Sequence, residues 1–479
     1  MEVNTENIKN RSRMRKRFLT ALVFACALVY VLAIGIIVLR FGYNPRHLSG
    51  LSYAIIAIGS AAILVSLLVY FIYSRRGLVF NLKEFTAVFV CMSIGYTLSL
   101  CLSLVSLYLM PIAVTAFLIS PIARRRDAFV CSLTCIILLM SVLLVGVHGG
   151  ADRIQLVDVL PMFLMGILTG SLAAYSVSTD TKRLSYVLKG IVIGIIGAAA
   201  LFVCFAIRNA FKEFVKALPY MSIAIVAQVL TGLLLQPIIE KTFNLVTNSR
   251  LVELTDRNSP LIKRLMNEAL GTFSHCMSVA NFAEMCAVAI GENPYLARAC
   301  SYYHDVGKLA NPLYYKENQA GHTNPHDDLL PEVSAEIIRG HTIEGLKLCR
   351  KYRIPEEISH VTVQHHGTLL IPVFYEKAKK LTDGEVDPYE YSYHGVTPVT
   401  KIAAIIMICD SGEAAIRAMD KPNGEKVDKL IKSLIDSRIA AGQFDNCDIS
   451  LRDLNTVRRT IVNSFGGMYH ERLKYPDGK

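Results

Sequence analysis

Acidic residues are scarce in the first half of this 479-residue chain. Residues 1 to 240 hold 9 Asp and Glu against 21 Lys and Arg, whereas the remainder is balanced at 30 against 29. The formal net charge of +11 therefore belongs to one half. That half is also the apolar one, in a chain with 53% hydrophobic residues and a mean hydropathy of +0.40, which is too apolar for an ordinary soluble protein. Basic clusters between long apolar runs set membrane orientation, which argues against a nucleic-acid polymer as partner. The runs hold almost no ionisable groups beyond Lys189 near one end and Asp158 at an edge. Transporters commonly need polar groups at mid-membrane, so transport is disfavoured. The twelve cysteines lack C-x-x-C pairs and His-rich spacing, so reduced, packed thiols are expected, Cys276 and Cys409 included. No stretch of the second half alternates long enough to demand a sheet. The expected fold class is all-α, a polytopic helical membrane domain followed by a cytoplasmic all-α domain.

Six basic residues, Lys9 to Arg17, precede the uncharged run Phe18 to Leu39, which at 22 residues can span a bilayer. It lacks a convincing small-residue cleavage site, which argues against a signal peptide. Leu51 to Tyr73 is a second span. Phe85 to Ala123 is uncharged for 39 residues, about 58 Å as one helix and nearly twice a ~30 Å hydrocarbon core. Both of its flanks are basic, Lys83 and Arg124 to Arg126, so the run is expected to cross out and return, turning near Leu107 to Pro111. Ala128 to Gly146, Val157 to Val177, Leu184 to Ile207 and Ala217 to Ile239 complete eight crossings, which return the chain to the side where it starts. The spacings Gly166/Gly170 and Gly190/Gly194 permit close helix packing but read as chance. His148 reads as a solvated loop residue. The expected organisation is a cytoplasmic basic terminus over 1–17, the membrane domain over 18–239, a coupling helix or linker over 240–272, a metal-binding domain over 273–470 and a tail over 471–479.

The second half is organised around Ser301-Tyr302-Tyr303-His304-Asp305-Val306-Gly307-Lys308. An adjacent His and Asp can both turn toward one metal centre, and a carboxylate can bridge two ions. His275 precedes the pair, and His341, His365-His366 and Asp410 follow it, giving seven candidate donors. Asp410 ends the apolar run Ile402 to Ile408, where an unpaired carboxylate is costly. Asn258-Ser259-Pro260 and Asn293-Pro294 are helix starts, and Gly271, Gly291 and Gly307 are helix stops. His322 and His326, in the loop Asn318 to Pro331, read as loop-structuring. His360, His394 and His470 read as surface or packing residues. Thr382 to Thr397 reads as a polar loop near the substrate.

The order His, His-Asp, His, His-His, Asp resembles the HD superfamily of metal-dependent phosphohydrolases. The words His275-Cys276-Met277-Ser278, Glu317-Asn318-Gln319, Asn324-Pro325-His326-Asp327, His365-His366-Gly367-Thr368 and Gly442-Gln443-Phe444-Asp445 narrow it to the seven-transmembrane HD family, which includes PgpH-type phosphodiesterases of cyclic di-AMP. The resemblance implies that His275, His304, Asp305 and Asp410 hold one ion and that Asp305, His341, His365 and His366 hold the other. It further implies hydrolysis of cyclic di-AMP to pApA at a bacterial cell membrane, with both terminus and HD domain cytoplasmic. Asp305 and Lys308 are the expected catalytic residues, Lys308 as a substrate-binding phosphate clamp. The resemblance implies that the two divalent cofactors are iron or manganese, an identity that the imidazole and carboxylate donors without thiolate suit. The partners are a cyclic dinucleotide and the lipid bilayer, and a homo-oligomer is left open. Two departures stand out: the large extracellular domain usual after the first span is replaced by Arg40 to Gly50, and Ile402 occupies a position where the family pattern has Glu. Hydrolysis of cyclic di-GMP is the alternative enzyme, disfavoured because Gly367-Thr368-Leu369 replaces a Gly-Tyr-Pro segment. A non-catalytic nucleotide-binding module is the other alternative, disfavoured because no donor is missing.

Overall fold

The computed structural model describes residues 2–43, 48–148, 155–179, 182–319, 321, 323–382 and 384–468. The expected tail 471–479, His322 and His470 lie outside them. The chain divides into two compact units, Met1–Arg250 and Leu251–Lys479, a boundary inside the expected linker 240–272. The described residues form helices, turns and loops, with no strand among them.

Among its described residues the first unit contains seven long apolar helices: Met14–Tyr43, Gly50–Ser74, Leu82–Ser103, Arg125–His148, Leu156–Ser176, Arg183–Ile207 and Phe211–Thr242. In Gly50–Ser74 the buried positions Ile56, Ser60, Leu64, Leu67 and Phe71 recur every three or four residues, while Ile55, Ile58, Val65 and Ile72 are exposed. One face packs on neighbours and the other, equally apolar, needs an apolar solvent. The unit is a membrane domain. Charges gather at helix ends: buried Asp127 accepts from Tyr70 and Arg75 at 2.8 and 2.7 Å, and Glu240 pairs with Arg183 at 3.0 Å. His148 is exposed, as expected.

The long uncharged run departs from two matching spans. Leu82–Ser103 is one full-length helix, but the expected return is broken into the 3-10 turn Leu107–Leu109 and the helix Val114–Ile119, only about 9 Å long. Pro111 lacks the donor that a continuous helix would use. Residues 109–120 are buried throughout, and Val114–Ile119 packs on Leu82–Ser103, Arg125–His148, Leu156–Ser176 and Phe211–Thr242. Irregular backbone at membrane depth is tolerated where protein surrounds it. Sequence could not reveal this, because a uniformly apolar run carries no period.

Glycines make the room. A Cβ on Gly95 would lie 2.1 Å from Thr115 Oγ1, and one on Gly166 2.9 Å from Ile112 Cγ2. Gly190 and Gly194 likewise face Val229 and Ile225 at 2.6 and 2.3 Å. The two small-residue spacings are therefore packing contacts, not the chance occurrences expected.

In the second unit Leu270–Ile290 is as apolar and long as a span, yet it packs on Pro294–Tyr303, Lys401–Ala418 and Leu451–Met468 as a core helix. The helix starts fall where expected: Asn293 Oδ1 accepts from the amides of Tyr295 and Leu296 at 3.0 and 3.3 Å, and Pro260 opens Pro260–Glu268, although the Ser259 hydroxyl pairs with Tyr303 and makes no cap there. Gly291 ends its helix at φ 78°. Gly271, expected as a stop, instead lies inside Leu270–Ile290, where a Cβ would meet the Glu317 carbonyl at 1.9 Å. Ile402 is buried, so the position lacking Glu is a packing position here.

Gly95→Leu should overpack the centre of the membrane unit, at a cost of about 1–3 kcal/mol. Gly59→Leu, on a face with nothing within 4 Å, should not. Melting temperatures of the two variants in detergent check this, and equal values would contradict the packing.

Candidate metal centre

The seven expected donors come from five separate segments and converge. His275 sits in Leu270–Ile290, His304 and Asp305 follow Pro294–Tyr303, His341 sits in Pro331–Lys351, His365 and His366 follow Val361–Gln364, and Asp410 sits in Lys401–Ala418. Asp305, His341, His365 and His366 form one group, and His275, His304, Asp305 and Asp410 another; within each, one ligand atom per residue lies within 4.8 Å of all the others. All are buried except the half-buried His366.

Asp305 divides its oxygens between the groups. Oδ1 lies 3.3 Å from His341 Nε2 and 3.6 Å from His365 Nε2. Oδ2 lies 3.3 Å from His304 Nε2 and 3.7 Å from His275 Nε2. The other ring nitrogens are tied elsewhere: His304 Nδ1 donates to Ser301 O at 2.7 Å, His341 Nδ1 to Ile338 O at 2.5 Å and His365 Nδ1 to Val361 O at 3.0 Å. A donating Nδ1 leaves the Nε2 lone pair pointing inward, the tautomer a metal requires.

Three observations test whether these residues fit metal ions. The buried atoms His304 Nε2 and Asp305 Oδ1 have no hydrogen-bond partner among the described residues, which is costly unless something binds them. Burial brings His341 down to about 4 despite Asp305, and burial with the neighbouring His365 holds His366 well below its ordinary range. Burial would raise the Asp305 carboxyl, but Lys308 and His304 hold it well below the usual carboxylate range. Neutral imidazoles and ionised carboxylates are what a cation binds, so His341, His366 and Asp305 are ready for one, whereas His304, held well above its ordinary range by Asp305 against the pull of burial, must first give up a proton. The donor set fits divalent metal ions.

Several contacts behind the donors were not legible. Glu413, one turn beyond Asp410, accepts from His275 Nδ1 at 2.6 Å, and Asp410 Oδ1 lies 2.9 Å from His275 Nε2. Burial disfavours the His275 imidazolium, yet these carboxylates outweigh it and push His275 up to about 10. Gln443 accepts from Thr368 N at 3.1 Å and donates to Thr368 Oγ1 at 2.9 Å, which locks the turn after the paired histidines. Gly367 sits there at φ 52°, a value glycine adopts freely. Asn318 accepts from Thr272 N at 3.0 Å and anchors its loop beside His275. Lys308 Nζ lies 2.7 Å from Asp305 Oδ2 and 2.8 Å from Glu317 Oε1.

A cavity of about 600 Å³ opens onto the donors, walled by Lys308, Tyr315, Ile338, Tyr393 and Arg417. Tyr393 comes from the loop expected near a substrate and stacks on His366 at 4.2 Å. His326 packs against Tyr314 and Phe374 and Nε2 donates to Tyr314 O at 3.1 Å, a loop-structuring role. His360 and His394 are exposed, while Cys276 and Cys409 are buried free thiols outside both donor groups.

Known proteins resemble both units. Residues 50–247 match the family described as "7TM receptor with intracellular HD hydrolase", and residues 272–415 match the HD domain. The cyclic-di-AMP phosphodiesterase PgpH of Listeria monocytogenes is 38% identical over 65% of this chain and 44% of its own length. Its Bacillus subtilis namesake is 34% identical over 77% and 51%. The chain thus spans about half the length of these curated relatives. The crystal structure of the L. monocytogenes PgpH HD domain in complex with cyclic-di-AMP is 42% identical, covering 45% of this chain and all of that one, with a TM-score of 0.43.

Because His275 holds a proton up to about 10 without metal, a cation that takes its Nε2 must displace that proton. Metal uptake should therefore release protons, and apparent affinity should rise from pH 6 to pH 8. Calorimetry in two buffers of different ionisation enthalpy checks the sign; proton-neutral binding would contradict it.

Proposed function

The chain belongs to the seven-transmembrane HD family, and from that premise we propose that it is a membrane-anchored, metal-dependent phosphodiesterase that opens cyclic di-AMP to linear pApA. The observation that carries the reading is the division of the Asp305 oxygens between two complete donor groups. His275, His304, Asp305 and Asp410 would hold one ion, and Asp305, His341, His365 and His366 the other. Imidazole and carboxylate donors without thiolate suit iron or manganese. When bound, such ions supply Lewis-acid polarisation of a phosphoryl oxygen and activation of water.

The chain's own residues do the rest. Lys308 keeps a positive charge at the cavity wall beside Asp305, where it can steady a phosphate whose charge grows in the transition state. Tyr315 and Tyr393 wall the cavity, and water adds at phosphorus as the ribose 3′-oxygen leaves. Cyclic di-AMP is the proposed substrate because relatives at 34 and 38% identity bear that activity in their names.

Amino terminus and HD domain are proposed to be cytoplasmic. Residues 50–247 match a family described as seven-transmembrane but contain six of the long helices. Counting the broken segment 104–123 as the seventh, and Met14–Tyr43 before it, gives eight crossings. The basic residues Arg75, Lys83, Arg124 to Arg126, Lys182 and Arg183 then share one side with both ends.

Protein loaded with Mn²⁺ should convert cyclic di-AMP to pApA in preference to cyclic di-GMP. No product from a demonstrably metal-loaded sample would sink the proposal. Asp305→Ala should abolish turnover and lower metal content while the protein still inserts in the membrane; two retained ions with near-native hydrolysis would refute the bridging role.

A further inference from the structure

His275 is held differently from three other histidines of the donor groups, His304, His341 and His365. The Nδ1 atoms of His304, His341 and His365 donate to carbonyls three or four residues earlier on their own segments. His275 Nδ1 instead donates across the fold to Glu413 Oε2 at 2.6 Å. Asp410 and Glu413 share the helix Lys401–Ala418, three residues apart on one face. That helix therefore grips both ring nitrogens of His275. Glu413 is 1% exposed, and its second oxygen accepts from Arg417, one turn further on and 46% exposed at the cavity wall.

We infer that Glu413 is a positioning residue that fixes His275 in the tautomer offering Nε2 to a metal, and that Arg417 decides which way a side chain at position 413 can face. The inference rests on the two-metal reading proposed above. A carboxylate has an acceptor for each of two donors, His275 Nδ1–H on one oxygen and the Arg417 guanidinium on the other. A glutamine has one acceptor and one donor group. Arg417 can only donate, so it draws the amide oxygen to itself and leaves the amide NH₂ facing His275. An NH₂ there donates to Nδ1 and places the ring proton on Nε2, the atom a cation needs. Removing the guanidinium ends the competition and lets the amide oxygen turn to His275.

The test uses the full chain in detergent, stripped of metal and titrated with Mn²⁺ alone, with bound ions per chain and the metal-free melting temperature as readouts. Wild type should take two ions. Glu413→Gln should weaken one site by about 10–100-fold, the usual effect of losing a partner behind a ligating histidine, and leave the other unchanged. Glu413→Gln with Arg417→Met should recover most of that loss, although it removes one more polar contact. Wild-type affinity in Glu413→Gln, or no recovery in the double variant, would overturn the inference. So would loss of both ions together with a lowered metal-free melting temperature, the mark of a merely structural role. A wild type that takes fewer than two ions would instead overturn the two-metal reading itself.

Discussion

The second unit depends on what to do with a buried carboxylate. Asp305 is 1% exposed and surrounded by imidazole nitrogens, so its charge has no water to relax into. Lys308 offsets part of it at one oxygen, and the other oxygen has no hydrogen-bond partner among the described residues. Five segments must be brought close enough to aim donors at that one side chain, and glycines at the crossings make this feasible. A Cβ on Gly307 would lie 1.8 Å from the His341 carbonyl, and one on Gly271 1.9 Å from that of Glu317. Neither position can hold a side chain without parting the His-Asp pair from His341, or His275 from the loop that holds Lys308.

The membrane unit answers a different constraint, the absence of water for its backbone. Among the described residues seven long helices satisfy their own amides, whereas the segment 104–123 pairs its amides through short turns, Leu109 to Ser106 O, Met110 to Leu107 O and Val114 to Pro111 O among them, and it lies where neighbouring helices enclose it. Ser120 Oγ donates to Ala116 O and also lies 3.3 Å from Ala173 O on Leu156–Ser176. Gly95 and Gly166 leave the space it occupies. The small-residue spacings and the broken segment are thus one design.

What could be read from the sequence follows from what has a pattern. The seven donors were legible because histidine and aspartate are rare in apolar helical segments and expensive there unless bound. The helix start at Asn293 was legible because capping chemistry is local, and the one at Pro260 because a proline suits a first turn. Glu413 was not, since a glutamate one turn beyond Asp410 looks like any solvated position until Leu270–Ile290 is docked against it. The clamp between Gln443 and Thr368 spans 75 residues, and no local rule reaches that far. The helix Gly424–Ala440 carries none of the seven donors and follows the last of them, Asp410. In the membrane half, uniform hydrophobicity announced the spans and hid the break.

Asp305 is proposed to sit between two ions and to touch both. Electron paramagnetic resonance of the Mn²⁺-loaded protein tests it directly, because manganese ions sharing a carboxylate are magnetically coupled whereas isolated ions are not. The spectrum of an exchange-coupled pair is expected at two ions per chain. Two equivalents of bound Mn²⁺ giving only uncoupled, mononuclear signals would contradict it.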